Sequence, residues 1–484
     1  MAKEKLSVNS YRHVLKYTGI FGGVQVFNIL VGLVRNKFVA VLLGPDGMGL
    51  VTLFNTAMNF ISQATGLGVS FSAIRRISEL YDDGNVVDLE RHISTVRLWS
   101  VTAAILGAFV CILAGPLLNL LSFSWGDHTL HFVLLAPAVA MTAISGCELA
   151  ILKGTRRLSQ LASIQIAVSV LSLAVSVPLF FVFNYKAIVP VISLMAFINL
   201  LPAFIVSHRL YPYRLKCHAQ RFAEGIPMVR MGLAFTIAAV FTSGSEMLVR
   251  ALLNKVSDLD TVGLFNAAYM ITITYSGMVF SAMESDYFPR LSAINQDNAS
   301  VRNVVNRQME VSLLVICPML SGLIVLLPFF IPLLFSSKFL PIVGMAQITS
   351  IAMLFKAMSL PMAYVNLAKG NSKVYLLLES FYAVMFVTLV ITGFSRFGLA
   401  GAGIAIVVAH IVEYAAIFAC LRLRHDFRMS AVSLRTVAFQ LPLLLVVYLI
   451  TLTLNGIAYW VAGTTLTLLA STYSLKQFKD LRKT

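Results

Sequence analysis

The chain has 484 residues, 58% of them hydrophobic and only 12% charged, about half the charged fraction of a soluble domain, so any soluble domain is small or absent. The formal charge of +16 does not point to nucleic acid, because the basic residues form no single patch. They recur in small groups between apolar runs, the positive-inside pattern of a polytopic membrane protein.

The first apolar run covers 14–43, carries Arg35 and Lys37, and ends in Gly44-Pro45-Asp46-Gly47. It is too long for the hydrophobic segment of a signal peptide and lacks a clear cleavage site, so it is expected to remain as a helix. A second run follows at once, and the two read as a transmembrane hairpin, about 20 apolar residues sufficing to span a bilayer. Continuing along the chain, the spacing predicts helices over 14–43, 47–74, 98–121, 129–152, 157–183, 187–207, 227–254, 261–288, 309–335, 342–368, 373–395, 399–421, 434–454 and 457–473. Pro318, Pro328 and Pro361 are candidate kinks, since proline removes a backbone donor and crowds the preceding turn. The cysteines (Cys111, Cys147, Cys217, Cys317 and Cys420) are scattered singly without zinc spacing. The four in apolar runs are expected to be reduced, and no metal is expected.

Charge placement tests this map. With the N-terminus in the cytoplasm and strict alternation, 29 of the 37 Lys and Arg fall in inside segments. Only Lys186, Lys255, Lys338 and Arg396 fall outside, and Arg35, Lys37, Arg250 and Lys356 lie within helices. That skew predicts both termini in the cytoplasm.

An internal repeat accompanies the pattern. Gly49-Leu50 and Arg75-Arg76 correspond to Gly263-Leu264 and Pro289-Arg290 at an offset of 214. Val34-Arg35 matches Val249-Arg250, and Lys153-Gly154 matches Lys369-Gly370, at nearly the same offset. The expected fold is therefore an all-α polytopic membrane protein of about 14 transmembrane helices. Two pseudo-symmetric six-helix lobes would surround a central cavity, with a C-terminal helix pair outside the repeat. Lobes related in this way hold transport sites between them. The expected divisions are residues 1–210 for the first lobe, 211–226 for a cytoplasmic linker, 227–425 for the second lobe, and 426–484 for the extra helix pair and basic tail.

No catalytic motif and no cofactor signature is present, and the outside loops are short, which disfavours an enzyme. Asp82-Asp83 reads as part of a solvated face. The informative residues are the charges inside apolar runs, because charge at membrane depth is costly and marks function by default. Lys356 lies near the middle of its helix, too deep to snorkel with ease, and reads as a cavity-lining cation or as half of a structural ion pair. Arg35 has no acidic residue one turn away in its own helix, although snorkelling to the outer surface competes with a functional role. Glu246 stands one turn before Arg250 and can neutralise it. Glu284 and Asp286 lie near Arg290 at a cytoplasmic helix end, and a local ion pair is the competing reading. His410 and Glu413 share a helix face and can either relay protons or join helices. Glu148 and Glu379 are expected to pair with nearby cytoplasmic lysines. Several cations with few deep acids favour an anionic guest, and arginine forks and lysine charges both suit phosphate.

Three stretches resemble a known family. Leu-Leu-Gly-Pro-Asp-Gly-Met-Gly-Leu (42–50), with Ser-Ala-Ile-Arg-Arg-Ile-Ser-Glu (72–79), is similar to the first hairpin of Wzx-type flippases. These belong to the multidrug/oligosaccharidyl-lipid/polysaccharide exporter superfamily. Leu-Lys-Gly-Thr-Arg-Arg (152–157) and Lys356, thirteen residues before Lys369, resemble further features of that family, and the likeness covers about residues 10–425. It implies an inner-membrane flippase with a cationic cavity for undecaprenyl-pyrophosphate-linked oligosaccharide, of the O-antigen or enterobacterial-common-antigen type. Arg35, Arg250 and Lys356 would line that cavity. Glu246, Glu284, Asp286, His410 and Glu413 are coupling or gating candidates. Other polysaccharide-assembly proteins are expected partners beside the bilayer. A multidrug exporter, a lipid II flippase and a membrane glycosyltransferase or polymerase are the alternatives. Many members stop at twelve helices, so the C-terminal pair is a departure.

Overall fold

The computed structural model describes the chain except residues 1, 124–125, 213–218, 275, 278–279, 281–286, 288–289, 293 and 482–484. Over 2–22 and at 25, 219–220, 234 and 481 it describes the backbone alone. Every regular element among the described residues is helical. Nine helices among them are long and apolar enough to cross a membrane, and the protein is a multi-pass membrane protein. Four of those nine, 26–65, 129–154, 158–210 and 372–425, contain an interior break. By internal packing the chain divides into Met1–Leu259 and Asp260–Thr484.

The N-terminal unit begins with α1, Ala2–Thr65. Its helical course breaks at Gly44 (φ 68°, ψ −173°), within the Gly-Pro-Asp-Gly turn. Glycine adopts positive φ without a Cβ penalty, and Pro45 is pre-shaped for the first turn of the helix that follows. The Tyr185 hydroxyl donates to the Leu43 carbonyl at 2.9 Å, occupying one acceptor freed by the break.

The helix expected over 47–74 is instead divided. It stops at Thr65 and resumes as α2, Val69–Asp82. Gly68 sits between them in the left-handed region (φ 61°). A Cβ there would lie 2.3 Å from the Gly232 carbonyl oxygen, so only glycine permits this backbone crossing. α3 runs over Val86–Ser122, starting well before the apolar run that announced it, because Asn85 caps it by accepting from the Asp88 amide. Thereafter come α4 (Thr129–Leu134), α5 (Ala136–Gly154), α6 (Leu158–Phe183), α7 (Ile188–Leu210) and α8 (Ala219–Val256). Val69, Ala73 and Ile77 of α2 pack with Ile93 and Val96 of α3, Ile151 of α5 and Met228 of α8 into one core cluster. The first turns of α8 are tied to α3 by the Arg91–Glu224 ion pair and by Arg221 donating to Ser94.

In the C-terminal unit, α9 (Leu259–Tyr269) passes into a π-helical turn over Met270–Thr274. α10 is Asn298–Leu334, capped by Asp297, whose carboxylate accepts the Ala299 and Ser300 amides at 3.0 and 3.2 Å. α11 is Val343–Ala368 and α12 is Ser372–His425. The candidate kink prolines Pro318, Pro328 and Pro361 lie inside helices that continue through them. α12 breaks at Phe397 and Gly398 (φ 59°), where its two halves were expected to separate. A Cβ on Gly401 would fall 2.0 Å from the Gly393 carbonyl oxygen, so the halves meet backbone to backbone.

The last pair is α13 (Ala431–Thr453) and α14 (Gly456–Leu481). Both dock on α10. Glu310 accepts from the Ser430 and Ser433 hydroxyls at 2.6 and 2.8 Å, and the Tyr459 hydroxyl donates to the Val325 carbonyl at 2.7 Å. α14 was expected to span the membrane, yet it is not one of the nine apolar helices. Its threonines and serines dilute the apolar run. Those at 464, 467 and 471 return their hydroxyls to carbonyls four residues back at 2.6–2.9 Å, so they remain satisfied inside the helix.

Candidate functional site

A cluster of charged side chains lies in the C-terminal unit, where α11 packs along α12. Small and apolar residues let these helices approach; Gly403 of α12 sits against Ile348 and the Met345 carbonyl of α11. Lys356 projects from α11, and its ammonium donates to Glu413 Oε1 of α12 at 3.0 Å. The other carboxylate oxygen, Oε2, lies 2.8 Å from His410 Nδ1. His410 stacks on Tyr382 with ring centroids 5.5 Å apart, and the Lys356 ammonium stands 5.7 Å from the Tyr382 ring centre. Glu379 is close enough for its charge to interact with both Lys356 and Glu413. The lysine side chain is 28% exposed, whereas Glu413 is 9% and His410 4% exposed.

Of the two readings of Lys356, the ion pair is therefore present. The 28% exposure leaves part of the side chain reachable. Chemically the cluster is an acid shared by two bases: Glu413 can hold Lys356, hold His410, or release one as a proton or a competing anion arrives.

In the N-terminal unit, Arg250 is buried near the end of α8. Its Nη1 donates to the Glu246 backbone carbonyl at 3.0 Å and lies 3.6 Å from Glu246 Oε2. The i,i+4 neighbour thus engages the guanidinium through both backbone and side chain. Arg35 and Lys37 are half-buried on α1 and each engages other groups. Glu284 and Asp286 lie outside the described residues.

One expected pairing is corrected. Glu148 pairs with Arg97, not with a lysine. Arg97 Nε and Nη2 reach the two carboxylate oxygens at 2.9 and 3.0 Å; Nη2 also donates to Ser207 Oγ at 3.0 Å and Nη1 to the Tyr211 carbonyl at 2.8 Å. Both charged side chains are almost fully buried. Arg97 is one of the 29 basic residues expected in inside segments, and its planar fork binds a carboxylate bidentately in a way lysine cannot. The available signal was an arginine and a glutamate of opposite sign near the expected cytoplasmic ends of the helices predicted over 98–121 and 129–152. Asp82, expected on a solvated face, does lie exposed and forms a surface ion pair with Arg156.

Sequence reasoning also missed a cavity of about 460 Å³ inside the N-terminal unit, whose fourteen lining residues include no charge. Among the described residues no three His, Cys, Asp or Glu gather as a metal site. Cys111, Cys147, Cys317 and Cys420 are free thiols, and Cys217 lies outside the described residues.

Against known proteins, residues 38–344 match the family model described as "Polysaccharide biosynthesis protein". The lipid III flippase of Escherichia coli (strain K12) is 22% identical over 350 residues, covering 72% of this chain and 83% of that protein. The lipopolysaccharide biosynthesis protein WzxC of Escherichia coli (strain K12) is 20% identical over 191 residues, 40% of this chain and 39% of WzxC. Among solved structures, an inward-facing multidrug resistance MATE family transporter of the MOP superfamily superposes with a TM-score of 0.71 at 14% identity, covering 84% of this chain and 98% of that one. The lipid II flippase MurJ in an inward closed conformation gives 0.68 at 16% identity, covering 95% and 99%. At these identities the likeness establishes the fold.

Proposed function

The chain belongs to the polysaccharide biosynthesis protein family, and from that premise we propose that it is a flippase for a polyprenyl-pyrophosphate-linked oligosaccharide. It carries the unit from the cytoplasmic to the periplasmic leaflet of the bacterial inner membrane by alternating access. The substrate is an O-antigen or related surface-polysaccharide repeat unit. The observation that carries this reading is the Lys356–Glu413–His410 cluster: a lysine within the candidate membrane span 337–368, 28% exposed, held by a carboxylate that has a second base 2.8 Å away. A pyrophosphate approaching Lys356 competes with Glu413 for the ammonium. The displaced carboxylate keeps its other bond to His410, or takes a proton, so anion binding need not strand a buried charge. Proton movement through Glu413 and His410 then couples substrate exchange to an ion gradient or the membrane potential. Arg35 and Arg250 are the candidate anion contacts of the N-terminal unit, with Glu246 tuning Arg250.

The proposed topology has fourteen spanning helices in two six-helix lobes and an additional pair, both termini cytoplasmic, with α14 crossing despite its hydroxyl content. A multidrug exporter shares the fold, but a lysine as the accessible charge of the cluster favours anionic over cationic cargo. The similarity to the lipid III flippase supports a lipid-linked cargo and makes lipid III the nearest variant of this reading. Complementation of strains lacking defined lipid-linked-sugar flippases tests it. Rescue of surface glycan in at least one strain, lost in Lys356→Ala at equal membrane abundance, is expected. No rescue in any strain, together with drug efflux activity, would overturn it.

A further inference from the structure

The cavity in the N-terminal unit has a chemistry unlike that of the charged clusters. It is built where α1 gives way to α2. The break at Gly66–Gly68 interrupts the helical wall, while Ala143 and Gly146 recede on α5 and Ala239 on α8. A Cβ on Gly146 would make an ordinary van der Waals contact with Ser70 Cβ at 3.8 Å, so a side chain can be added on this wall without a clash at its first carbon. About 460 Å³ results, within the roughly 300–1,000 Å³ of ordinary small-ligand pockets.

The walls carry five neutral polar side chains, Ser62, Gln63, Ser70, Thr142 and Thr236, and no charged one. Thr142 and Thr236 donate to the Ala138 and Gly232 carbonyls at 2.8 and 3.2 Å, leaving oxygen lone pairs as acceptors. Ser62 Oγ is buried and has no hydrogen-bond partner. An unsatisfied buried hydroxyl is costly and marks a place where a ligand or water completes the bonding. Gln63 and Ser70 line the space and are exposed. Phe71 and Phe235 close one side with rings 3.8 Å apart.

Each candidate guest makes a different demand. A phosphate requires cations, and the lining has none. An acyl chain gains nothing from five polar side chains, whose desolvation it leaves uncompensated. A neutral group bearing many hydroxyls and one apolar face meets the donors, acceptors and aromatic edge together. We propose that this cavity binds a sugar ring of the lipid-linked glycan and thereby sets preference for the sugar-bearing lipid. The inference rests on the flippase reading above, because that reading supplies the glycan.

The test uses the purified full-length protein in detergent with three probes: undecaprenyl pyrophosphate, and the same lipid carrying a single N-acetylglucosamine or a single galactose. Binding is followed by thermophoresis. Wild type should bind at least one sugar-bearing lipid about tenfold more tightly than the bare lipid, equivalent to ~1.4 kcal/mol or one or two net hydrogen bonds. Gly146→Leu, which fills the cavity, and Gln63→Ala and Ser70→Ala, which remove polar groups without adding bulk, should bring that ratio toward one. Affinity for the bare lipid should stay unchanged in all three. An unchanged ratio in the variants, an equal loss for bare and sugar-bearing lipids, or no sugar preference in wild type overturns the inference while the flippase reading stands. Failure of wild type to bind any of the lipids removes the flippase reading itself.

Discussion

Removing Lys356 separates the structural and functional roles of its ion pair. Lys356→Ala takes away the ammonium 3.0 Å from Glu413 and leaves that carboxylate, 9% exposed, with His410 as its remaining close partner. Breaking a buried pair from one side costs roughly 3–5 kcal/mol. Because the lysine is 28% exposed, solvent already screens part of the interaction, and the lower end, ~3 kcal/mol, applies. Glu413→Ala should cost less, since the stranded ammonium keeps both its solvent exposure and the Tyr382 face. The double variant Lys356→Ala/Glu413→Ala leaves no unpaired charge in that pair, and replacing a buried pair by apolar groups is often close to neutral. A double-mutant cycle on thermal unfolding in detergent should therefore show a coupling of roughly 3 kcal/mol or more.

Transport should behave differently. If Lys356 holds the pyrophosphate, its charge-assisted bond is worth roughly 1.5–3 kcal/mol, and losing 3 kcal/mol weakens binding about a hundredfold. The double variant should then be as stable as wild type yet inactive in lipid-linked-sugar translocation, while Lys356→Arg retains partial activity because a charge survives. Normal transport by the well-expressed double variant would refute the role of Lys356 as an anion contact and leave the pair as structural only.

Arg97→Ala should lower folded protein by the full cost of a buried broken pair, ~3–5 kcal/mol, with transport per folded molecule unchanged; thermal unfolding beside translocation normalised to abundance checks both. Arg250→Ala should reduce translocation, and Glu246→Gln should shift substrate affinity or turnover by loosening the 3.6 Å contact; normal transport in both would make the pair a bystander. Gly68→Ala should destabilise by more than the ~1–2 kcal/mol of a left-handed alanine, because its Cβ also meets the Gly232 carbonyl, and an unchanged melting temperature would contradict the close crossing. Single cysteines at Asp46, Asp127 and Lys338, in a background without the native five, should react with an impermeant maleimide from outside, whereas one at Lys479 should not; labelling at Lys479 would remove α14 from the spanning set.

The sequence by itself determined the class of molecule and the positions of its main reversals. Apolar run length demands helices in lipid, where every backbone group must be satisfied within its own segment. Gly44-Pro45 and Gly398 mark breaks because each break contains a glycine at positive φ. The spacing of His410 and Glu413 also placed them on one helix face, and the structure has them 2.8 Å apart. Partners from distant helices were not legible. Nothing local to Lys356 shows that Glu413, 57 residues later, faces it, or that Arg97 and Glu148 meet across α3 and α5. The division of the 47–74 helix at Gly68 depends on a backbone 164 residues away, at Gly232. The uncharged cavity has no sequence signature at all, because five separate helices and a helix break each contribute only uncharged residues to it. Local periodicity and charge are properties of a segment, whereas counter-ions and cavities are properties of packing, and only the tertiary structure decides those.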